Sequence, residues 1–328
     1  IFRNSNFSIY IPNIIASFLM LFLTYKLHKE LVDKKYPIAS SLILATTYLW
    51  INFSHQATQD IIYSFLILFG IFSTIRYIKT KKYYFLISSG AWIGIAFMFK
   101  TYLAIIPLLA LIPILINEKL FNKKLFWIGI IIGFIPFTIW SIKICDSYGL
   151  TTYYGIFNKL IALSGKNTFS NPFYYYFWNI PVNIFPWTFF SIIGFLISYK
   201  NKNNMVRYFL FFYPLVIIFL ISCFSTKTPY YSLQLSPLIA INSYLGLTFL
   251  IRNNGIYVKL IKLFNFIFLP AILIFATLFI NSNFSNLNIS SNDKFIISSM
   301  SLIFSISWIL TNLLKTKKSK LLFSLAGP

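Results

Sequence analysis

The sequence predicts an all-α, polytopic membrane bundle, and three observations carry that expectation. Hydrophobic residues supply 58% of the 328 positions and aromatics 20%, while charged residues supply only 10%. The charged residues cluster between long apolar runs, a distribution that belongs to membrane proteins rather than to water-soluble domains. No run of short alternating segments appears, so a β-barrel is not indicated. In hydrocarbon an unpaired backbone group has no water to turn to, so apolar segments of this length are expected to be helices.

A spanning helix needs roughly 20 apolar residues, fewer where aromatics anchor its ends. By that measure about eleven spans are predicted, near residues 8–25, 37–53, 61–78, 83–99, 101–117, 125–142, 181–199, 208–224, 231–251, 262–280 and 295–314. The sequence reads as one domain over residues 1–328, and no internal repeat interrupts it.

The formal net charge of +22 is distributed by topology. Basic residues gather in alternate loops: Lys26, Lys29, Lys34 and Lys35; Arg76, Lys79, Lys81 and Lys82; Lys119, Lys123 and Lys124; Lys200, Lys202 and Arg207; Arg252, Lys259 and Lys262; and Lys315, Lys317, Lys318 and Lys320. The intervening loops hold only Arg3, Lys100, Lys143, Lys159, Lys166, Lys227 and Lys294. Cytoplasmic loops collect Lys and Arg, so the first set is expected to face the cytoplasm. A nucleic-acid surface would need one contiguous basic patch, so nucleic acid is not an expected partner; the bilayer is. With this orientation the first span runs inward from outside, and the chain begins with Ile rather than Met. At least one upstream span, with the outer loop after it, is therefore expected.

Residues 143–180 form the one long outer connection. The stretch "YYGIFNKLIALSGKN" places Tyr153, Phe157, Leu160, Ile161 and Leu163 at near-helical spacing, and "SNPFYYYFWNIPVNIFPW" follows. This predicts an interfacial amphipathic helix leading into an aromatic belt, a segment that serves either as an anchor or as a face toward substrate.

Polar groups at the outer helix ends are the candidates for chemistry. Asp60, one of six acidic residues, closes "SHQATQD" and opens the apolar run "IIYSFLILFGIFSTI". It is suited either to capping that helix or to acting as a general base, or as an acceptor for a sugar hydroxyl or a metal. His55 lies five residues earlier, a spacing that neither requires a shared helix face nor defines a metal pair. Lys100 interrupts "WIGIAFMFKTYLAIIPLLALIPILI" where two spans must reverse. A snorkelling lysine or a counter-charge for phosphate both fit that place. In "FSTKTPYYSLQLSPLIAI", Lys227 stands in a short outer turn, and Tyr230, Tyr231 and Gln234 begin the next span. Ammonium, phenol and amide groups at one level of the membrane suit a phosphate or sugar headgroup whose lipid tail stays in the bilayer.

In their order these residues resemble the GT-C membrane glycosyltransferases, in particular the group of protein O-mannosyltransferases and the aminoarabinose transferases that modify lipid A. The resemblance extends over roughly residues 5–250. It rests on "SHQATQD" ending in Asp60, on "GAWIGIAFMFK" ending in Lys100, on a long outer loop closing with Pro186 and Trp187, and on Ser225, Thr226, Lys227 and Tyr231 followed by Pro237. It implies a transferase that takes a sugar from a polyprenyl-phosphate donor and passes it to a lipid, glycan or protein acceptor on the noncytoplasmic face. It further implies that Asp60 belongs to the active-site carboxylates, with Lys100, Lys227 and Tyr231 near the donor phosphate; Tyr230, His55 and Trp187 are further candidates for substrate binding.

Two departures mark this sequence. The family's principal catalytic Asp falls in a first outer loop, upstream of residue 1, and "FSIYIPN" carries Tyr10 where the family tends to show Arg. No cofactor is indicated with certainty, although a divalent metal is compatible. There is no P-loop, dinucleotide fingerprint or nucleophile elbow, so an activated lipid suits the chain better than a nucleotide sugar. The other readings are a transporter or flippase of lipid-linked saccharides and a noncatalytic membrane subunit. Cys145 and Cys223 are far apart in sequence and weak disulfide candidates, and the Asn/Ser-rich stretch at 281–293 reads as an outer loop.

Overall fold

The computed structural model describes residues 7–164, 170–283 and 291–328. Among the described residues there are helices and one isolated bridge, Ser170 to Thr226, and no strand. Helix α1 (Phe7–Leu31) is followed by two short helices, α2 (Ile38–Ala45) and α3 (Tyr48–Ser54), and then by α4 (Gln59–Thr80). Asn13, near the start of α1, donates to the carbonyls of Gln56 and Thr58 just ahead of α4. Glu30, near the end of α1, receives Arg76 at 2.6 Å and Lys79 at 3.1 Å from the end of α4. The two helices therefore run parallel, and α2 with α3 returns the chain between them.

That return is broken where the sequence predicts one span, at 37–53. Thr47 is extended (φ −79°, ψ 134°), and the Thr46 and Thr47 hydroxyls donate back to Leu42 and Leu44. Side-chain bonds of this kind compete with the helix ladder and satisfy carbonyls that the break releases.

Helix α5 (Tyr83–Lys100) passes through a turn of 3-10 helix at Thr101–Ala104 into α6 (Ile105–Asn117), and α7 (Lys124–Ser164) follows. Thr101 takes φ 43°, the left-handed region, at the point where the chain turns back. A Cβ on Gly129 would overlap the carbonyl of Ile87, and one on Gly133 the carbonyl of Ala91. Both contacts are offset by the same interval, so α5 and α7 run parallel and α6 must return between them. The spacings Gly90 to Gly94 and Gly129 to Gly133 are the small-residue pattern that lets membrane helices approach backbone to backbone.

Helix α7 breaks at Gly149 (φ 81°, ψ 161°) and continues helical to Ser164. The segment expected as an outer loop from residue 143 is thus largely helix. Residues 165–169, the first three of which close the predicted amphipathic stretch, lie outside the described residues, as do the side chains of Phe157, Leu160, Ile161 and Leu163.

Helices α8 (Tyr175–Asn183) and α9 (Thr188–Tyr199) meet at a bend of 115°, with a cis Phe185–Pro186 bond inside it. A short α10 (Asn204–Arg207) leads through a π turn at Tyr208–Phe212 into α11 (Tyr213–Ser222). A 3-10 segment, Pro229–Leu235, opens α12 (Ser236–Arg252), which lies antiparallel on α9 with Gly194 against Asn242 and Gly246 against Phe190. Asn242 joins three elements: it accepts from Ser198 and donates to the Leu210 carbonyl, each at 2.7 Å. Helix α13 (Ile256–Leu263), a π turn at Phe264–Phe268, α14 (Leu269–Asn283), α15 (Ser291–Leu313) and α16 (Lys317–Ala326) complete the chain. Residues 284–290 of the predicted Asn/Ser-rich loop lie outside the described ones.

Among the described residues eight helices are long and apolar enough to cross a membrane, or nine if α8 and α9 count as one bent span. The sequence predicts about eleven. The difference lies in three places: the break at Thr46–Thr47, the bend ahead of Thr188, and Tyr83–Asn117, which passes as a single apolar stretch despite its turn at Lys100. Hydropathy measures solubility in lipid and is blind to backbone breaks.

Enlarging Gly133 should force α5 and α7 apart. Gly133→Val is expected to destabilise the bundle by about 1–3 kcal/mol, whereas Gly155→Val, with nothing within 4 Å of its Cβ position, should change little. Thermal melting of the two variants in detergent compares them directly.

Candidate active site

Asp60 sits in the first turn of α4, two residues beyond the N-cap Thr58, which makes no side-chain capping bond. The amide of Asn13 on the carbonyls of Gln56 and Thr58, and that of Gln56 on Asn52 at 3.0 Å, fold the stretch 54–60 back onto α1 and α3. The carboxylate is buried in consequence. From the end of α5 the Lys100 ammonium meets it at 2.7 Å, with side-chain exposures of 13% for Lys100 and 9% for Asp60. A buried ion pair of this kind needs both partners, because the removal of one strands a charge in a poorly solvating medium.

Aromatic groups enclose the pair. Lys100 Nζ lies 5.0 Å from the centre of the Tyr230 ring, a cation–π contact. Tyr230 in turn meets Tyr231 and Phe53 edge to face at 4.9 and 5.9 Å. Tyr63, one turn along α4 from Asp60, donates to the Leu103 carbonyl at 2.8 Å and ties α4 to the turn after Lys100. Gln234 donates to the Tyr231 carbonyl at 3.0 Å, and its Oε1 is buried without a hydrogen-bond partner. Asp60, Tyr63, Lys100, Tyr230, Tyr231 and Gln234 line one cleft with Leu103, Ile106 and Ile221. With the ion pair closed the free space is about 10 Å³, roughly what one water needs.

The arrangement has a carboxylate, a cation, phenols and an orphaned amide acceptor lining one cleft. An ammonium in a water-poor cleft stabilises developing negative charge far better than one in bulk water. No group of three or more His, Cys, Asp or Glu converges among the described residues. The donor set for a metal is therefore not assembled by them, and no step is assigned to one.

The structure brings together Asp60, Lys100, Tyr230, Tyr231 and Gln234, and places Lys227, His55 and Trp187 elsewhere. Lys227 is buried, and its ammonium donates to the carbonyls of Phe224 at 2.5 Å and Asn171 at 2.8 Å. Asn171 answers by donating to the Lys227 carbonyl at 3.2 Å, and the Tyr176 hydroxyl bridges the carbonyl and N–H of Thr228. Lys227 thus latches the segment that carries the two tyrosines onto residues 170–176. His55 ends α3, exposed, with Nδ1 at 2.6 Å from the Ile51 carbonyl. Trp187 is fully buried against Phe190 and Trp308, with its indole N–H on Thr46 Oγ1 at 2.9 Å. Tyr10 is exposed at 40%.

Sequence reading missed Tyr63 and Asn13. Tyr63 had a signal, since i and i+3 share a helix face. Asn13 had none, because its partners lie more than 40 residues away.

Residues 1–142 match the family model described as dolichyl-phosphate-mannose-protein mannosyltransferase. The chain also superposes on two solved structures of ArnT from Cupriavidus metallidurans. For ArnT bound to undecaprenyl phosphate the TM-score is 0.78 at 11% identity, over 98% of this chain and 61% of that one. The chain has the GT-C membrane fold. Apo ArnT superposes with a TM-score of 0.75 at 11% identity, over 97% and 60% of the respective chains. The GT-C fold is thus shared across a chain that spans about three fifths of ArnT's length. No curated protein matches the sequence.

Two outcomes follow from the geometry. Asp60→Ala should lower stability by about 3 kcal/mol, and adding Lys100→Leu should recover part of the loss, as thermal melting of single and double variants in detergent would show. Lys227→Ala should release the latch, so that hydrogen exchange at residues 224–231 rises while that of α4 stays unchanged.

Proposed function

We propose that this protein transfers a sugar from a polyprenyl-phosphate donor to an acceptor hydroxyl at the membrane surface, at the bundle end that carries Asp60. The observation that carries the reading is the Asp60–Lys100 pair within its tyrosine-lined cleft. The GT-C fold and the mannosyltransferase family match over residues 1–142 support it. So does the undecaprenyl phosphate bound to ArnT.

In the reaction the acceptor oxygen forms a bond to the anomeric carbon as the bond from that carbon to the donor phosphate oxygen breaks. The hydroxyl proton passes to a carboxylate, and polyprenyl phosphate departs with the bonding electron pair. Lys100 is placed to meet the phosphate, with the Tyr230 and Tyr231 hydroxyls as further donors, and Gln234 Oε1 is free to accept from a sugar hydroxyl. An arriving phosphate competes with Asp60 for the ammonium. Drawing Lys100 away opens the cleft and frees the carboxylate to act as base. Lys227 and Trp187 then act by positioning, and His55 caps α3 at the rim. The distribution of Lys and Arg between the two ends supports a noncytoplasmic cleft.

A transporter would place ionisable residues near the midplane, often in repeated halves. The four lysine or arginine ion pairs among the described residues all lie at helix ends, which favours the transferase.

In cells whose own gene is replaced by Asp60→Asn, we expect the modified glycolipid or glycoprotein to disappear while the protein still reaches the membrane. Near-normal glycolipid profiles would return Asp60 to a structural role. Lys100→Ala should weaken donor binding at least about tenfold, and unchanged donor affinity in membranes carrying that variant would remove the ammonium from the site.

A further inference from the structure

The opposite, lysine-rich end of the bundle holds a second polar site that the proposed reaction does not use. There the loop after α1, the end of α12 and the start of α16 meet around a pocket of about 80 Å³. Its charged lining is Lys35, Arg252, Lys317 and Lys318, with Tyr36 and Thr248 beside them and no carboxylate. Among the described residues none of the four cations is in an ion pair.

The carboxylate within reach is already committed. Asp33 lines the adjoining cavity together with Arg252. Burial raises its pKa, but the N–H groups of Lys35 and Tyr36 and the Tyr244 hydroxyl at 3.0 Å more than offset that, and the carboxyl is held below its usual range. One negative charge, spent on its own loop and on Tyr244, does not balance four positive ones.

The pocket is also built rather than incidental. Helix α16 is fixed from behind by the Trp308 indole on the Ser324 carbonyl at 3.0 Å and by Ser307 on the Phe323 carbonyl. Thr316 caps it by accepting from the Ser319 N–H at 3.1 Å. Its first turn, whose N–H groups favour anions, is thereby held beside Lys35 and Arg252. Within a few residues of Lys318 and Arg252 in the chain, apolar side chains are exposed: Leu322 and Phe323 on α16, Ile256 and Tyr257 at the start of α13. A soluble ion would leave these uncovered, whereas an acyl chain would lie along them. Basic pockets between spanning helices at this level are suited to anionic lipid headgroups.

We propose that Lys35, Arg252, Lys317 and Lys318 form a binding site for a phosphate-bearing anion, filled by the phosphodiester headgroup of an anionic membrane lipid. The site is remote from the cleft and stands independently of the transfer reaction.

Native mass spectrometry of the full chain, with phosphatidylglycerol and phosphatidylcholine of equal acyl chains, tests this without any activity readout. The wild type should retain phosphatidylglycerol at least about tenfold better. R252Q/K317Q/K318Q should lose that preference, R252K/K317R/K318R should keep it, and K123Q/K124Q, outside the pocket, should keep it too. Equal melting temperatures show that the glutamine variant is folded. If it is not, K318Q alone must reduce the preference measurably. Inorganic phosphate separates the sources: phosphate binding by calorimetry that the glutamine variant loses, with no lipid preference, assigns the same site to a soluble phosphate. No preference and no phosphate binding in the wild type, or equal loss in K123Q/K124Q, overturns the site.

Discussion

An ammonium and a carboxylate 2.7 Å apart, each almost wholly withdrawn from solvent, constrain this bundle more than any other contact. Neither charge is tolerable alone at that depth. Lys100 must therefore end α5 where Asp60 begins α4, which puts the two helices antiparallel and side by side. The turn that follows Lys100 is then obliged to reverse the chain at once, and Thr101 does so in the left-handed region. Tyr63 secures the same corner through the Leu103 carbonyl. What sets the corner apart is the surplus of polar function around a pair already neutral: two phenols and an unsatisfied amide oxygen lining one cleft.

Close helix approach supplies the second condition. With glycines at 90, 94, 129 and 133, α5 lies against α7 with backbone atoms in contact, and Gly194 and Gly246 do the same for α9 and α12. In lipid there is no hydrophobic drive between helices, so such packing and bonds like those of Asn242 carry the association. Helix α5, which carries Lys100, and helix α12, which the tyrosine-bearing segment opens, are thus held to α7 and α9 by small residues and a few buried amides.

The two ends of the bundle are electrostatically unlike. At one end a single balanced pair is surrounded by aromatics. At the other Glu30 and Glu118 answer Arg76, Lys79 and Lys81, while among the described residues Lys35, Arg252, Lys317 and Lys318 are in no ion pair.

The sequence by itself determined the membrane class, its helical character and the gathering of Asp60, Lys100, Tyr230 and Tyr231 at one end, because hydropathy and loop charge are local properties. The common fold with ArnT at 11% identity is legible for the same reason: pattern survives where identity does not. Side-chain direction is not local. Only the tertiary structure decided that Lys100 turns to Asp60, that Lys227 spends its ammonium on two carbonyls, that Trp187 points into the core toward Thr46, and that Asn13 folds the 54–60 stretch inward. Those directions depend on how each helix is rotated and where its backbone breaks, and both are set by partners tens of residues away.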